Sequence, residues 1–249
     1  MTGWPTGVGR RVLPEIDSTM AEGARLAPQL SAPEWVLALS QSAARGRRGR
    51  PWAMPEGNFA ASLILRPTEP PAEVALRSFV AALALREAFV AVTGREQAFA
   101  LKWPNDVLLN GGKVAGILLE SHGAGSAVNH LVIGIGINLA AAPQPDEVEQ
   151  GAVAPVSLKG SLGVSITPEA FLDSLAPAYA RLEAQFVTYG FAPIRTAWLA
   201  HAARLGEVIT ARTGTSETIG TFRDVDAQGN LVLETAEGRK SIAAAEIFF

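Results

Sequence analysis

The dipeptide Asn110-Gly111 stands between two short apolar runs near the middle of this 249-residue chain. A two-residue hairpin turn needs backbone angles that Asn and Gly adopt more readily than other residues, so Asn-Gly between apolar runs is a strong hairpin signal. The flanking runs are residues 106–109 and 113–120. The sequence therefore predicts a β-hairpin here, and any fold of the chain must contain it.

Further apolar runs predict strands and helices around this hairpin. Buried strands are expected at residues 34–39, 58–65, 99–103 and 131–139, and helices at about 19–27, 72–92, 167–188 and 193–204. Thr19 and Glu22 have the spacing of a capping box at the start of the first helix, and Gly94 is a stop signal after the second. Because helices and strands are interspersed, we expect an α/β or α+β body.

The sequence pattern changes after Arg204, where short runs of alternating apolar and polar residues replace the longer predicted elements. Strands are expected at residues 207–212, 218–225, 230–235 and 239–243, with turns at 226–229 and 236–238. Four or five short strands in this span are typical of a small β-barrel of SH3-like size. We therefore predict two domains, residues 1–204 and residues 205–249.

Composition excludes several kinds of chemistry. The chain has no cysteine, so it can form no disulfide, thiolate nucleophile or Cys-ligated metal site. Its three histidines, His122, His130 and His201, do not show metal-ligand spacing. The net charge is −3, no apolar stretch approaches the length of a membrane span, and the N-terminal residues do not resemble a secretory signal. We expect a cytoplasmic protein without a membrane partner.

Four arginines and two glycines form the segment Arg45-Gly46-Arg47-Arg48-Gly49-Arg50, followed closely by Trp52. Such a run is most often a solvated basic patch or a nucleic-acid contact. Here it lies between two predicted core strands, and guanidinium groups beside flexible glycines also suit a loop that closes over phosphates. Both interpretations stay open on the residues alone.

The predicted hairpin region carries a second concentration of polar groups. Lys102, Asn105 and Asp106 lie within five residues, and Lys113 enters the next strand after the Asn-Gly turn. The chain has only four lysines, and two of them fall here. Gly116, inside a strand, is costly unless a ligand or another backbone approaches closely.

The segment Gly134-Ile-Gly136-Ile-Asn138 does not match the dinucleotide-binding fingerprint, because Leu139 occupies the position of the third glycine and no helix is expected after it. The P-loop pattern also fails, since Val107 and Val114 occupy two of its defining positions. A protein with this sequence would use ATP without either common nucleotide motif.

Taken in order, these segments resemble the motifs of biotin protein ligases over roughly residues 12–140. The matching segments are 17–19 (Asp-Ser-Thr), Gln41, 45–52 with its arginines and Trp52, 102–106 (Lys-Trp-Pro-Asn-Asp), 113–118 and 134–138. The resemblance implies a catalytic domain of the class II synthetase type followed by an SH3-like domain. It also implies an ATP-dependent ligase that makes biotinyl-5′-AMP and pyrophosphate, then biotinylates a lysine of the biotin carboxyl carrier domain of acetyl-CoA carboxylase or a related carboxylase.

The resemblance also implies roles for individual residues. Biotin-binding positions are Ser18, Thr19, Met20, Gln41, Arg45, Gly46, Arg47, Lys113, Gly116 and Ile117. Nucleotide-binding positions are Arg45, Arg47, Arg48, Arg50, Trp52, Asn105 and Asn138. Catalytic positions are Lys113, Arg47, Asp106 and Lys102. No metal ligand set is assigned, and Mg²⁺ would arrive with ATP near Asp106.

The chain departs from the family at two positions, with Ala44 where members usually carry Gly and Met20 where they usually carry Asn. Too few residues precede the first motif for a helix-turn-helix domain, so no DNA binding is predicted. Alternatives are a lipoate or octanoate ligase or transferase of the same fold, and a non-catalytic RNA-binding module. The oligomeric state is left open, with a homodimer as one option.

Overall fold

A computed structural model describes residues 3–46, 49, 52–124, 127–144, 153–213 and 216–248. In the larger part of the chain the strands are β1 Gly9–Leu13, β2 Glu34–Ala38, β3 Phe59–Leu65, β4 Phe99–Lys102, β5 Asp106–Leu109, β6 Gly112–Ala124 and β7 Ala127–Ile137. The helices are α1 Thr19–Leu26, α2 Pro71–Ala75, α3 Arg77–Thr93, α4 Leu158–Leu162, α5 Pro168–Tyr189 and α6 Phe191–Leu199.

Strands β1 to β7 form one sheet in the order β1-β2-β3-β7-β6-β5-β4. Only the β1–β2 pair is parallel, and every other neighbouring pair is antiparallel. The predicted hairpin is confirmed as β5–β6, with Asn110 at φ 48° and Gly111 at φ 85° in its turn. A mostly antiparallel sheet with helices packed on it is an α+β architecture, which confirms the expected fold class.

The two faces of this sheet bury different partners, because successive side chains of a strand point to opposite faces. On β3, Leu63 belongs to the main core with α3, α5 and α6, whereas Ile64 belongs to a smaller cluster beneath α1. The smaller cluster consists of Met20, Ala27, Val36, Ile64 and Val132. The α1 side of the sheet is therefore the less covered side, which leaves space for a site.

Two local predictions were wrong in detail. Residues 72–92 form two helices, α2 and α3, instead of one. The apolar periodicity did not show the break because Leu76 between them keeps helical angles, φ −65° and ψ −15°. The capping box is absent, since Ser18 is the N-cap of α1 and Glu22 pairs with Arg25. Strand β1 and helix α4 were not anticipated.

A second sheet is formed by β8 Val208–Arg212, β9 Glu217–Val225, β10 Leu231–Thr235, β11 Gly238–Ile242 and β12 Glu246–Phe248. Its order is β11-β10-β9-β8-β12, and all of its pairs are antiparallel. This small all-β unit agrees with the expected SH3-like fold. Its hydrophobic residues join the main core, and the domain boundary at residue 204 stays a prediction.

Edge strand β4 of the first sheet is hydrogen-bonded to the residues that precede the second sheet, and the residue after β4 is hydrogen-bonded to a turn of that sheet. Leu101 of edge strand β4 donates its N–H to His201 O at 2.8 Å and accepts from Ala203 N at 2.8 Å. Trp103, just after β4, donates its indole N–H to Gly229 O in the β9–β10 turn at 3.0 Å. The end of β4 and the residue after it are therefore hydrogen-bonded both to residues 201–203 and to the β9–β10 turn. Across the described residues, no helix is long and apolar enough to cross a bilayer.

Candidate active site

A cavity of about 490 Å³ opens on the α1 side of the seven-stranded sheet. Its lining comes from the start of α1, residues 41, 44–46 and 52–53, strands β3 to β7, residues 143, 153 and 155, and the C-terminal strand β12. A volume of this size is typical of sites for small organic ligands. The cavity has a polar end beside α1, a floor of glycines and a charged end at the hairpin.

The polar end is built around the start of α1. The side-chain oxygen of Gln41 accepts from the Thr19 backbone N–H at 2.7 Å, and the Ser62 hydroxyl donates to Thr19 Oγ1 at 2.9 Å. Ser18 and Thr19 are both almost fully buried and line the cavity. Hydrogen bonds from Arg25 and from the Ser18 backbone N–H lower the pKa of Asp17 to about 2, so its carboxylate is charged and anchors this end.

The floor consists of strand positions without side chains. Gly116 and Gly136 are directly opposite each other on β6 and β7, and the Trp52 ring lies over them. A Cβ atom at Gly136 would lie 2.6 Å from Trp52 Cε2, and one at Gly134 would lie 2.5 Å from Met20 Sδ. The expected close approach at Gly116 is therefore present, but a tryptophan side chain makes it.

The charged end is a lysine–carboxylate cluster on the hairpin. Lys113 Nζ lies 2.8 Å from Asp106 Oδ1, and Lys102 Nζ lies 4.0 Å from Asp106 Oδ2. Lys102 and Asp106 are largely buried, whereas the Lys113 side chain keeps 30% of its surface exposed. Lys113 Nζ is also 5.6 Å from the centre of the Trp52 ring. Two lysine ammonium groups thus face the Asp106 carboxylate at this end of the cavity.

Asn105, between β4 and β5, is hydrogen-bonded to β6, so it connects the strands that carry this cluster. Its side-chain N–H donates to Ile117 O, and its own carbonyl accepts from Ile117 N at 2.9 Å. The Ile117 side chain belongs to the main hydrophobic core, although the residue also lines the cavity. Asn105 therefore fixes the backbone between Lys102 and Lys113.

Asn138 follows β7 and is 2% exposed. Its side-chain N–H donates to Val156 O at 3.1 Å, while its Oδ1 is buried and has no protein partner in the part of the chain described. An unpaired buried acceptor is costly unless something else supplies the donor. Asn138 lines the cavity as a residue, but this oxygen itself has no exposed surface.

The Arg/Gly segment is described only in part. Arg45 Nη2 contacts both carboxylate oxygens of Glu120 on β6, at 3.0 and 3.2 Å, and Gly46 lines the cavity. Trp52 N donates to Ala44 O at 3.0 Å, which closes the base of the segment. The predicted positions Arg47, Arg48 and Arg50 lie outside the described residues.

Sequence reasoning missed Ser62, which contacts Thr19 but does not itself line the cavity, and the last residues of the chain, which do line it. Ser62 gave no signal, because an isolated serine in an apolar strand is compatible with any buried position. Residues 245–248 were treated only as part of the terminal barrel, yet Glu246 and Phe248 line the cavity. No local pattern could show that the last strand of the chain would reach the site.

Comparison with known proteins identifies the family. Residues 9–138 match the Biotin/lipoate A/B protein ligase family, and residues 205–249 match the biotin protein ligase C-terminal domain. The chain belongs to this family. The first matched range, residues 9–138, contains the glycine floor of the cavity, its polar end beside α1 and the lysine–carboxylate cluster of its charged end.

Two relatives of this chain match it over most of its length. It is 58% identical over 238 residues to the biotin--[acetyl-CoA-carboxylase] ligase of Paracoccus denitrificans, which covers 96% of this chain and 99% of that protein. It is 36% identical over 226 residues to the bifunctional ligase/repressor BirA of Bacillus subtilis (strain 168), which covers 87% of this chain and 67% of that protein.

A solved structure shares the same architecture. The biotin protein ligase of Aquifex aeolicus, in complex with biotin and ATP, superposes with a TM-score of 0.80 at 27% identity. The match covers 96% of this chain and 97% of that one. Both sheets of the family fold are therefore present here in the same overall arrangement.

Proposed function

We propose that this chain is a biotin--[acetyl-CoA-carboxylase] ligase. It activates biotin with ATP to biotinyl-5′-AMP and then transfers the biotinyl group to a lysine of a biotin carboxyl carrier domain. The observation that carries this proposal is the 58% identity, over nearly the full length of both chains, to a protein of that name. The two unlike ends of the cavity support it, because the substrate itself has a polar ring at one end and a carboxylate at the other.

The ring of biotin fits the polar end beside α1. Its cyclic urea needs a few fixed hydrogen-bonding groups in an otherwise apolar pocket, and Ser18, Thr19 and Gln41 supply them among apolar neighbours such as Met20. The acyl chain would then run over the glycine floor toward Lys113. Arg45, Gly46 and Arg47 are proposed to lie over the activated intermediate.

In the first step a carboxylate oxygen of biotin attacks the α-phosphorus of ATP, the bond to the β-phosphate oxygen breaks, and pyrophosphate leaves. Two negatively charged groups must approach each other, so positive charge at the reacting atoms lowers the barrier. Lys113 is proposed to supply that charge, with Lys102 close behind it. The ion pair between Lys113 and Asp106, with Nζ 2.8 Å from Oδ1, holds the Lys113 ammonium group in place.

In the second step the neutral amine of the acceptor lysine attacks the acyl carbonyl, an amide forms, and AMP leaves. The amine must lose a proton during this step. Asp106 is the described carboxylate that faces both cavity lysines, so we propose that it orients the acceptor amine and receives the proton. Asn138, Asn105 and Trp52 line the cavity, and we propose that all three lie beside the nucleotide.

Magnesium is expected to accompany ATP. Within the described ranges, no three His, Cys, Asp or Glu side chains cluster to hold a metal ion. The Asp106 carboxylate is already paired with Lys113. These residues do not fit a resident magnesium site, so the ion would reach the cavity bound to phosphate oxygens of ATP.

The test is incubation of the purified protein with Mg-ATP, biotin and a recombinant biotin carrier domain, followed by intact mass of the acceptor. A gain of one biotinyl group is expected with the wild type and with Lys240→Ala, which removes a lysine of the second sheet that pairs with Glu237. Lys113→Ala should give no gain and no pyrophosphate. A gain with lipoate or octanoate in place of biotin, or no gain at all, would overturn the proposal.

A further inference from the structure

We propose that Ser62 is a positioning residue that makes the Thr19 hydroxyl a hydrogen-bond donor, so that this end of the cavity selects a ring carrying a carbonyl oxygen. The inference deepens the proposed function and rests on it. Ser62 would not touch the substrate. It would act through Thr19 by deciding which way the threonine proton points.

The first step of the argument is the burial of Ser62. It lies in β3 between β2 and β7, opposite Val36 on one side and Gly134 on the other, and it has no exposed surface. Its hydroxyl proton needs an acceptor inside the protein. The acceptor is Thr19 Oγ1 at 2.9 Å. If Thr19 donated instead, the Ser62 proton would be buried without an acceptor.

The second step concerns the Thr19 proton. A threonine inside a helix often donates to the carbonyl four residues earlier. Thr19 is the first residue of α1, so no preceding helical turn offers that carbonyl. With Oγ1 already accepting from Ser62, the Thr19 proton is directed to the cavity that the residue lines.

The third step is that Gln41, like Thr19, offers a hydrogen-bond donor to the cavity. Its Oε1 is occupied by the Thr19 backbone N–H at 2.7 Å, and its Nε2 lies 3.3 Å from the sulfur of Met54, a weak acceptor. The second N–H of this amide is left for a ligand. Thr19 and Gln41 therefore both offer donors, which suits the carbonyl oxygen of a cyclic urea.

The test compares biotin with 2-iminobiotin, in which an N–H group replaces the ring carbonyl oxygen. Binding is measured by titration calorimetry without ATP, so that recognition is separated from chemistry. Wild type should prefer biotin. Ser62→Ala should weaken biotin binding roughly tenfold, as expected for one lost hydrogen-bond constraint, and should leave 2-iminobiotin binding unchanged or stronger, because Thr19 can then rotate and accept.

Two further variants separate positioning from folding. Ser62→Cys is slightly larger but keeps a weak S–H donor, so it should give an intermediate ratio of biotin to 2-iminobiotin affinity. Thr93→Val is the matched control, because it removes a hydroxyl that donates to Phe89 O at 2.7 Å at the end of α3. The control should leave both affinities unchanged. Adenylate formation by Ser62→Ala should show a raised KM for biotin with an unchanged kcat.

An equal loss of affinity for both ligands in the Ser62 variants, or unchanged affinity for biotin, would overturn the inference. Failure of the proposed function would look different, because the wild type itself would then neither bind biotin nor modify the carrier domain.

Discussion

The indole of Trp103 offers a sharp test of how the second sheet is held against the active-site hairpin. Its N–H donates to Gly229 O at 3.0 Å, across 126 residues of sequence, and the side chain is 4% exposed. Gly229 is partly buried, and a Cβ atom there would lie 2.8 Å from Leu76 Cδ2. The substitution Trp103→Phe removes the donor and keeps an aromatic ring.

A matched variant separates the stability lost with the hydrogen bond from the stability lost with the smaller side chain. Trp198 is also buried, at 1% exposure, but its indole N–H has no partner among the described residues. Trp198→Phe therefore deletes the same atoms without breaking a hydrogen bond. Trp103→Phe leaves the Gly229 carbonyl unpaired. It should therefore lower the free energy of unfolding by about 1–3 kcal/mol more than Trp198→Phe does.

Thermal unfolding measures this difference. For a protein of this size, 1 kcal/mol shifts Tm by about 2–4 °C, so Trp103→Phe should melt about 2–12 °C below Trp198→Phe. Because Trp103 directly follows Lys102, its variant should also lose adenylate formation, whereas the Trp198 variant should keep it. Equal melting temperatures, or a lower one for Trp198→Phe, would refute the reasoning.

Two further changes test the site floor and the β9–β10 turn. Gly136→Ala should force the Trp52 ring to move, because the new Cβ would lie 2.6 Å from it. As a result, kcat/KM for adenylate formation should fall roughly tenfold. Gly3→Ala is the control, because its Cβ would meet nothing within 4 Å, and it should leave kcat/KM unchanged. At Asp226, burial raises the carboxyl pKa, but hydrogen bonds from the Asn230 side chain and from the backbone of Asn230 and Gln228 outweigh it, so the pKa lies below its ordinary value. A carboxylate with a depressed folded pKa contributes stability above its unfolded pKa of about 3.9 and loses it as pH falls through the folded value. Urea unfolding should therefore show Asp226→Asn less stable than wild type at pH 7 and closer to it at pH 3, and a pH-independent difference would contradict this assignment.

Local sequence signals predicted the elements whose causes are local. The Asn110-Gly111 turn formed because both residues accept positive φ, and Gly94 ended α3 in the left-handed conformation for the same reason. The buried strands followed from continuous apolar runs. The proximity of Lys113 and Asp106 was also within reach, because a hairpin brings its two strands into register.

Elements without a strong local cause escaped prediction. Strand β1 is short and mostly exposed, so its sequence carries little hydrophobic pattern, and it forms through parallel pairing with β2. The break at Leu76 is invisible to periodicity because the residue keeps helical angles. The terminal strand β12 depends on pairing with β8, more than thirty residues earlier.

The sequence by itself determined the family, the order of the motifs and the residue types available for chemistry, because these depend on chain order alone. Only the tertiary structure decided the partners of those residues. Ser62 meets Thr19 across 43 residues, Arg45 meets Glu120 across 75, and the side-chain oxygen of Asn138 has no partner in the part of the chain that the structure describes. Such contacts depend on strand register and on packing between distant segments, and no local propensity encodes either of them.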